Sequence, residues 1–241
     1  RYDTFYEKQN TSGGIYAKNI RAAAISAFAS HQLNRSDPHL FCPTPLDFVQ
    51  VHKNLDGVDD TDGFLRDLVA ELKSREAIWE PPGKATKNGF QTMADLFDRP
   101  SRHLAQLDRT LKDKIKKYRR EFAAEDCDFI KLFPKTLTLT GWFVRLLKGG
   151  HQTEHMHSGG WLSGVFYLQV PDFSNQEEGS IEFGLRGDNY PVLNKNYPRK
   201  RYFPKNGDIT LFPSSLFHRT IPFHSNEERM SISFDLIPHT S

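Results

Sequence analysis

The sequence predicts an α+β protein, a helical N-terminal portion packed on a mostly β, antiparallel core. Three observations lead there. Before residue 130, apolar residues recur every three or four positions. After it they fall in short runs, rich in β-branched and aromatic residues, separated by Gly, Pro, Asn and Asp. No helix-length segment divides those runs, which disfavours a parallel sheet with crossover helices and leaves an antiparallel sandwich or jelly roll. We therefore divide the chain into a helical portion, 1–130, and a β core, 131–241, integrated as one domain.

Along the chain, the Ala-rich stretch 15–31 reads as one helix. In 62–75, Phe64, Leu65, Leu68, Val69 and Leu72 make an apolar stripe. Ser101, after Pro100, is a candidate N-cap for a third helix, in which Leu104, Leu107, Leu111, Ile115, Tyr118 and Phe122 share a face. Lys112, Lys114, Lys116, Lys117, Arg119 and Arg120 on that helix interleave with Asp108, Asp113 and Glu121. They read as a solvated outer face, not a nucleic-acid patch. Residues 37–45 and 80–91, with their Pro and Gly, read as ordered loops. Candidate strands are 137–147, 163–170, 180–183, 208–212 and 230–237. In the last, Met230, Ile232, Phe234 and Leu236 lie on one face and Arg229, Ser231, Ser233 and Asp235 on the other. An Arg–Ser–Ser face suggests a barrel interior lined for a polar ligand.

Composition bounds the function. Lys plus Arg is 32 and Asp plus Glu 30 in 241 residues, so no bulk charge drives binding to nucleic acid or a membrane. Cys42 and Cys127 are the only cysteines, which excludes a disulfide scaffold and points to a reducing, cytoplasmic compartment. The longest small-apolar run, 22–29, is broken by Ser26 and is too short to span a bilayer. With no initiator Met and no signal-like start, Arg1 reads as the cut end of a longer protein.

The chemistry concentrates in histidines. His155 and His157 stand at i and i+2, so an extended segment projects both from one face. His218 closes the turn-and-strand phrase 207–218, and Arg229 follows 11 residues later at the head of the polar-faced strand. Tyr167 lies mid-strand in 163–168. Two early His, one late His and a following Arg suit a metal with an anionic co-ligand: the ion holds one end, a guanidinium takes a carboxylate at the other. Imidazole alone does not name the metal.

The order and spacing of these residues resemble the 2-oxoglutarate- and Fe(II)-dependent oxygenases, in particular the bacterial prolyl-hydroxylase-like type, some of them fused behind tetratricopeptide repeats. The matching stretches are 89–97, Trp142-Phe-Val-Arg-Leu146, 155–168, 207–218 and 228–238. The resemblance implies a double-stranded β-helix and an upstream repeat domain. It also implies an Fe(II) cofactor and 2-oxoglutarate as co-substrate, whose decarboxylation is coupled to C–H oxidation of a small-molecule or peptide substrate. It makes His218 the distal metal ligand, Arg229 and Ser231 the anchor of the 2-oxoglutarate C5 carboxylate, and Tyr167 a further partner of that carboxylate.

One departure stands out. The family's first motif is His-x-Asp or His-x-Glu, and here neither His is followed by a carboxylate; Glu154 precedes both on the wrong parity. Three arrangements remain open. The metal set is His155, His157 and His218; or it is two His with water in the empty position; or metal binding is weakened or lost. Trp142, Phe143 and Trp161 read as core or pocket wall. Arg145 suits either substrate or an ion pair, and His151 is either an orienting partner or a plain loop residue. Loop 188–202, holding Arg199, Lys200 and Arg201, is either a lid or a solvated basic turn. Competing functions are a cupin-like three-His dioxygenase without 2-oxoglutarate, against which Arg229 and Ser231 argue, and a non-catalytic jelly-roll module.

Overall fold

In the computed structural model, which describes residues 2–11, 19–53, 55–173, 175 and 177–239, helices come early and strands late. The order is α1 (Tyr2–Thr11), α2 (Ile20–Gln32), a 3-10 turn (Pro45–Phe48), β1 (Gln50–His52), α3 (Thr61–Lys73), β2 (Ile78–Trp79), β3 (Thr86–Gln91), α4 (Arg102–Glu121) and α5 (Asp128–Lys131). Then follow β4 (Leu137–Gln152), β5 (Leu162–Gln169), β6 (Ile181–Gly184), β7 (Arg199–Tyr202), β8 (Ile209–Pro213), β9 (Phe217–Thr220) and β10 (Arg229–Pro238). Side-chain oxygens cap three helices: Asn19 accepts from Ala22 N–H at 3.0 Å, Asp60 from Gly63 at 2.9 Å, and Ser101 from Leu104 at 3.2 Å. No described helix is long and apolar enough to cross a membrane.

The described strands form two antiparallel sheets, β1-β8-β5-β10-β4-β3-β2 and β7-β6-β9. Strand alternation gives the large sheet two different faces. Met230, Ile232, Phe234, Leu236, Phe166, Leu168, Ile209 and Leu211 face outward, in one core with Leu65, Leu68 and Leu72 of α3 and Leu104, Leu107 and Leu111 of α4. Gly164, on that outer side of β5, has to be glycine: a Cβ there would come within 2.3 Å of the Phe234 ring and 2.7 Å of the Thr210 carbonyl oxygen. The inner face meets the small sheet. There Val165, Tyr167 and Phe212 pack with Ile181 and Phe183, the Phe183 and Phe212 rings 4.9 Å apart. This is the expected jelly-roll arrangement.

Several expectations change. Residues 80–91 are not merely a loop, because β3 pairs with β4 from Thr86↔Gln152 to Gln91↔Val144. β4 accordingly runs to Gln152, beyond the expected 147, and β1, β2 and β3 all come from the portion expected to be helical. The stretch 188–202 ends in β7, paired with β6. β1 and β9 also carried no sequence signal. These short strands are held by a neighbour's hydrogen bonds, not by their own propensity. α2 starts at Ile20, and residues 15–18 of the expected helix lie outside the described residues. Lys114 is 5% exposed, not on the solvated face, and its ammonium reaches Asp56 at 2.5 Å.

Candidate functional site

Backbone pairing assembles the histidines. His155 and His218 exchange N–H···O bonds of 3.1 and 2.9 Å in an isolated bridge beyond the end of β4, and His157 N–H donates to Ser214 at 3.0 Å. The three rings then lie 4.2 Å (155–218), 5.0 Å (157–218) and 5.1 Å (155–157) apart. One ligand nitrogen from each falls within 4.8 Å of the others.

All three imidazoles are oriented alike. His155 Nδ1 lies 2.7 Å from the Thr153 carbonyl, His218 Nδ1 3.1 Å from that of Leu216, and His157 Nδ1 2.6 Å from Asp235 Oδ1. Carbonyl and carboxylate oxygens only accept, so each Nδ1 carries the proton and each Nε2 keeps its lone pair for an ion. Burial, with the neighbouring imidazoles, pushes His155 down to about 4 and His218 well below the usual range, so both stay neutral at pH near 7.

Those depressed values set a pH dependence. An unfolded histidine titrates near 6.5. As pH falls from about 6.5 toward 4, the unfolded chain therefore takes up protons that folded His155 refuses, and stability is lost in that window. Thermal melting of the metal-free protein should give a lower midpoint at pH about 5 than at about 7. Equal midpoints would remove the buried imidazoles as the cause.

The inner face of β10 also carries a cation without an anion. Arg229 is 2% exposed, and its Nε donates to the Gly179 carbonyl at 3.0 Å. Among the described residues no carboxylate forms an ion pair with it. Its guanidinium carbon lies 5.2 Å from the centroid of the Tyr167 ring, and Ser231 is opposite Tyr167 in the β10–β5 register. The Tyr167 hydroxyl and Thr210 Oγ1 are buried there without a hydrogen bond of ordinary geometry, although Tyr167 lies close enough to interact with both Thr210 and Arg229. Burial pulls Arg229 down and Tyr167 up from their ordinary values. An Arg and two hydroxyls, all desolvated and with no carboxylate paired to them among the described residues, make a cluster of donors that an anion would satisfy.

Comparison with known proteins finds a likeness over the β core. Residues 140–235 match the family model described as "Putative 2OG-Fe(II) oxygenase". Over those residues the chain is similar to the 2OG-Fe(II) oxygenases. Among solved structures, a prolyl-4-hydroxylase of Pseudomonas putida superposes with a TM-score of 0.55 at 14% identity, over 80% of this chain and 93% of its own. HygX of Streptomyces hygroscopicus, holding nickel and 2-oxoglutarate, gives 0.54 at 16%, over 79% and 82%. A Trichoplax adhaerens prolyl hydroxylase in complex with a hypoxia-inducible-factor peptide fragment gives 0.54 at 15%, over 95% of both chains. At such identities these likenesses show the fold, the double-stranded β-helix. No curated protein matches the chain in sequence.

The residues present fit the groups this family uses. Three Nε2 lone pairs suit Fe(II) among the borderline ions, and the Arg229 pocket suits the far carboxylate of 2-oxoglutarate. Glu154 is not in the cluster; its carboxylate lies 3.7 Å from Arg186. Trp142 is a wall of the imidazole cluster, its ring 5.5 Å from that of His157. Trp161 and Phe143 belong instead to the outer core, and the Trp161 indole donates to the Phe129 carbonyl. Arg145 takes the structural role, 3.6 Å from Glu228 and stacked over Phe90. His151 lies in β4, outside the cluster, its Nδ1 3.1 Å from the Gly149 carbonyl. Stretch 188–202 is strapped to α2: Tyr190 and Tyr197 pack on Phe28, and Gln32 bonds Leu193 and Asn194. Sequence reasoning missed Thr210 and the role of Asp235. Both sit on the inward parity of their strands, which for Asp235 was visible beside Arg229.

Proposed function

We propose that His155, His157 and His218 hold Fe(II), and that Arg229, Ser231 and Tyr167, joined by Thr210, hold the C5 carboxylate of 2-oxoglutarate. The observation that carries this reading is the buried Arg229, with no carboxylate partner among the described residues and with the Tyr167 and Thr210 hydroxyls beside it, in the same barrel as the imidazoles. A cupin-like dioxygenase without 2-oxoglutarate would leave that guanidinium with nothing to bind.

Bound Fe(II) with 2-oxoglutarate supplies the oxidation: the co-substrate is decarboxylated to succinate as O2 is used to hydroxylate a C–H bond. The chain's part is positional. The three Nδ1 hydrogen bonds aim the imidazoles, so the ligand nitrogens need no reorganisation when the ion arrives. Arg229 would give the co-substrate a charge-assisted contact, and Tyr167 and Thr210 would donate to the same oxygens. Phe183 and Phe212, flanking His218, keep bulk water from that side of the cluster. Trp142, half-buried, is the wall that a small-molecule or peptide substrate would meet.

The same proposal takes 1–130 and 131–241 as one domain, supported by the shared core of helices and sheet. It also takes a cytoplasmic setting, supported by the unbridged, buried Cys42 and Cys127. An upstream repeat domain rests on the family resemblance alone. The deciding experiment is anaerobic titration with Fe(II) and then 2-oxoglutarate, followed by O2 and measurement of succinate. Stoichiometric binding of both with succinate release is expected. A protein that binds Fe(II) but never 2-oxoglutarate would end the proposal.

A further inference from the structure

The imidazole cluster lacks a carboxylate, yet one stands a single hydrogen bond away. Asp235 is 8% exposed on the inner face of β10, opposite Ser163 of β5. Its Oδ1 accepts from His157 Nδ1–H at 2.6 Å and from the Ser163 hydroxyl at 2.6 Å. Ser163 is itself 2.7 Å from Ser214 Oγ. Among the described residues no Lys or Arg pairs with Asp235; the group facing it is His157. A buried carboxylate is costly unless something positive balances it. The surroundings are shaped for this contact: a Cβ on Gly160 would lie 2.6 Å from Ser214 Oγ and 3.3 Å from Asp235 Cγ.

The three histidines therefore differ. His155 and His218 give their Nδ1 protons to neutral carbonyls, His157 to a carboxylate. His157 also stands two residues after His155, where the family resemblance places the missing Asp or Glu. We infer that Asp235 supplies, through His157, the negative charge that a ligating carboxylate would otherwise bring to the ion. His157 and Asp235 then act as a divided ligand: the imidazole touches the metal, and the carboxylate behind it raises ring basicity and offsets the ion's charge. Asp235 is a positioning residue, not a ligand. This rests on the proposed Fe(II) site and goes beyond it, because it says how a neutral three-His set is compensated.

Asp235→Asn is the informative variant, since the amide keeps an oxygen that can accept from Nδ1–H and loses only the charge. Anaerobic calorimetry should show Fe(II) affinity reduced about 10- to 100-fold. In the presence of 2-oxoglutarate, the iron-to-co-substrate charge-transfer absorption should move to higher energy, because the iron is less electron-rich. The second arm uses His157→Asp, which puts a carboxylate in the ligand position directly. In that background Asp235→Asn should not weaken Fe(II) binding, since two carboxylates there repel each other. A residue that merely tethers the strand would cost the same in both backgrounds. Equal losses, or an Asp235→Asn protein with wild-type affinity and an unmoved absorption, overturn the inference. A variant that fails to fold leaves a test in the wild type: histidine-labelled NMR should show the His157 Nδ1 proton as a slowly exchanging low-field signal, and its absence likewise overturns it. A wild-type protein that takes up no Fe(II) overturns the proposed metal site first, and this inference with it.

Discussion

His218→Ala is expected to lose stoichiometric Fe(II) binding. Altering a group behind a metal ligand costs about 10- to 100-fold in affinity, so removing one of the three proposed ligating nitrogens should cost more than a hundredfold, or upward of about 2.7 kcal/mol. The effect has to be separated from unfolding. His218 is 5% exposed, its ring 4.6 Å from Phe212 and 6.3 Å from Phe183, so alanine also leaves a cavity between aromatic rings. His218→Leu fills that space without a lone pair. It removes a buried imidazole held far from its ordinary protonation, so the metal-free protein should melt no lower than wild type at acidic pH. Calorimetry with Fe(II) and melting without it check the two halves. A His218→Leu protein that binds Fe(II) as wild type does would remove His218 from the metal.

Arg229→Ala is expected to weaken 2-oxoglutarate binding and leave Fe(II) alone. The proposed guanidinium–carboxylate interaction that alanine would remove is charge-assisted and desolvated, worth about 2–5 kcal/mol by analogy with truncated buried charge pairs. Affinity for 2-oxoglutarate should thus fall about 30-fold or more. Fe(II) affinity without co-substrate should hardly change, because Arg229 lies outside the imidazole cluster. Stability should move the opposite way. A guanidinium 2% exposed with no carboxylate partner among the described residues is a desolvated charge compensated only by a carbonyl and an aromatic ring, and Arg229→Met substitutes apolar bulk of similar length. The ligand-free Met variant should melt at or above wild type, while added 2-oxoglutarate should raise the midpoint of the wild type alone. Wild-type 2-oxoglutarate affinity in Arg229→Ala would leave the anion pocket without its main residue.

These expectations show how far the chain could be read before folding. The inward set Arg229, Ser231, Ser233 and Asp235 followed from alternation along one strand, because the side-chain period of a strand is fixed by the backbone. The helix of 102–121 and its Ser101 cap were legible for the same local reason, a 3.6-residue period that begins at a hydroxyl. The strands missed in 80–91 and 188–202 had no such signal. Their order comes from β4 and β6, which lie far away in sequence, and backbone hydrogen bonds carry no side-chain signature. Lys114 misled for a related reason: its flexible stem is buried because Asp56, 58 residues away, meets its charge.

Residue order and identity were enough to specify an antiparallel β core behind helices, the polar inner strand, and the residue types that a metal and an anion require. Local periods and chemical identity are properties of neighbours along the chain, so they survive without a fold. The packed fold was needed to leave Arg229 without a carboxylate partner among the described residues and to bring Thr210 to Tyr167 beside it. It alone brought a ligand nitrogen of each of the three imidazoles within 4.8 Å of the others and set Asp235 behind His157, 78 residues apart. Which partner a buried polar group finds depends on sheet register between distant strands, and register is fixed when the whole core packs at once.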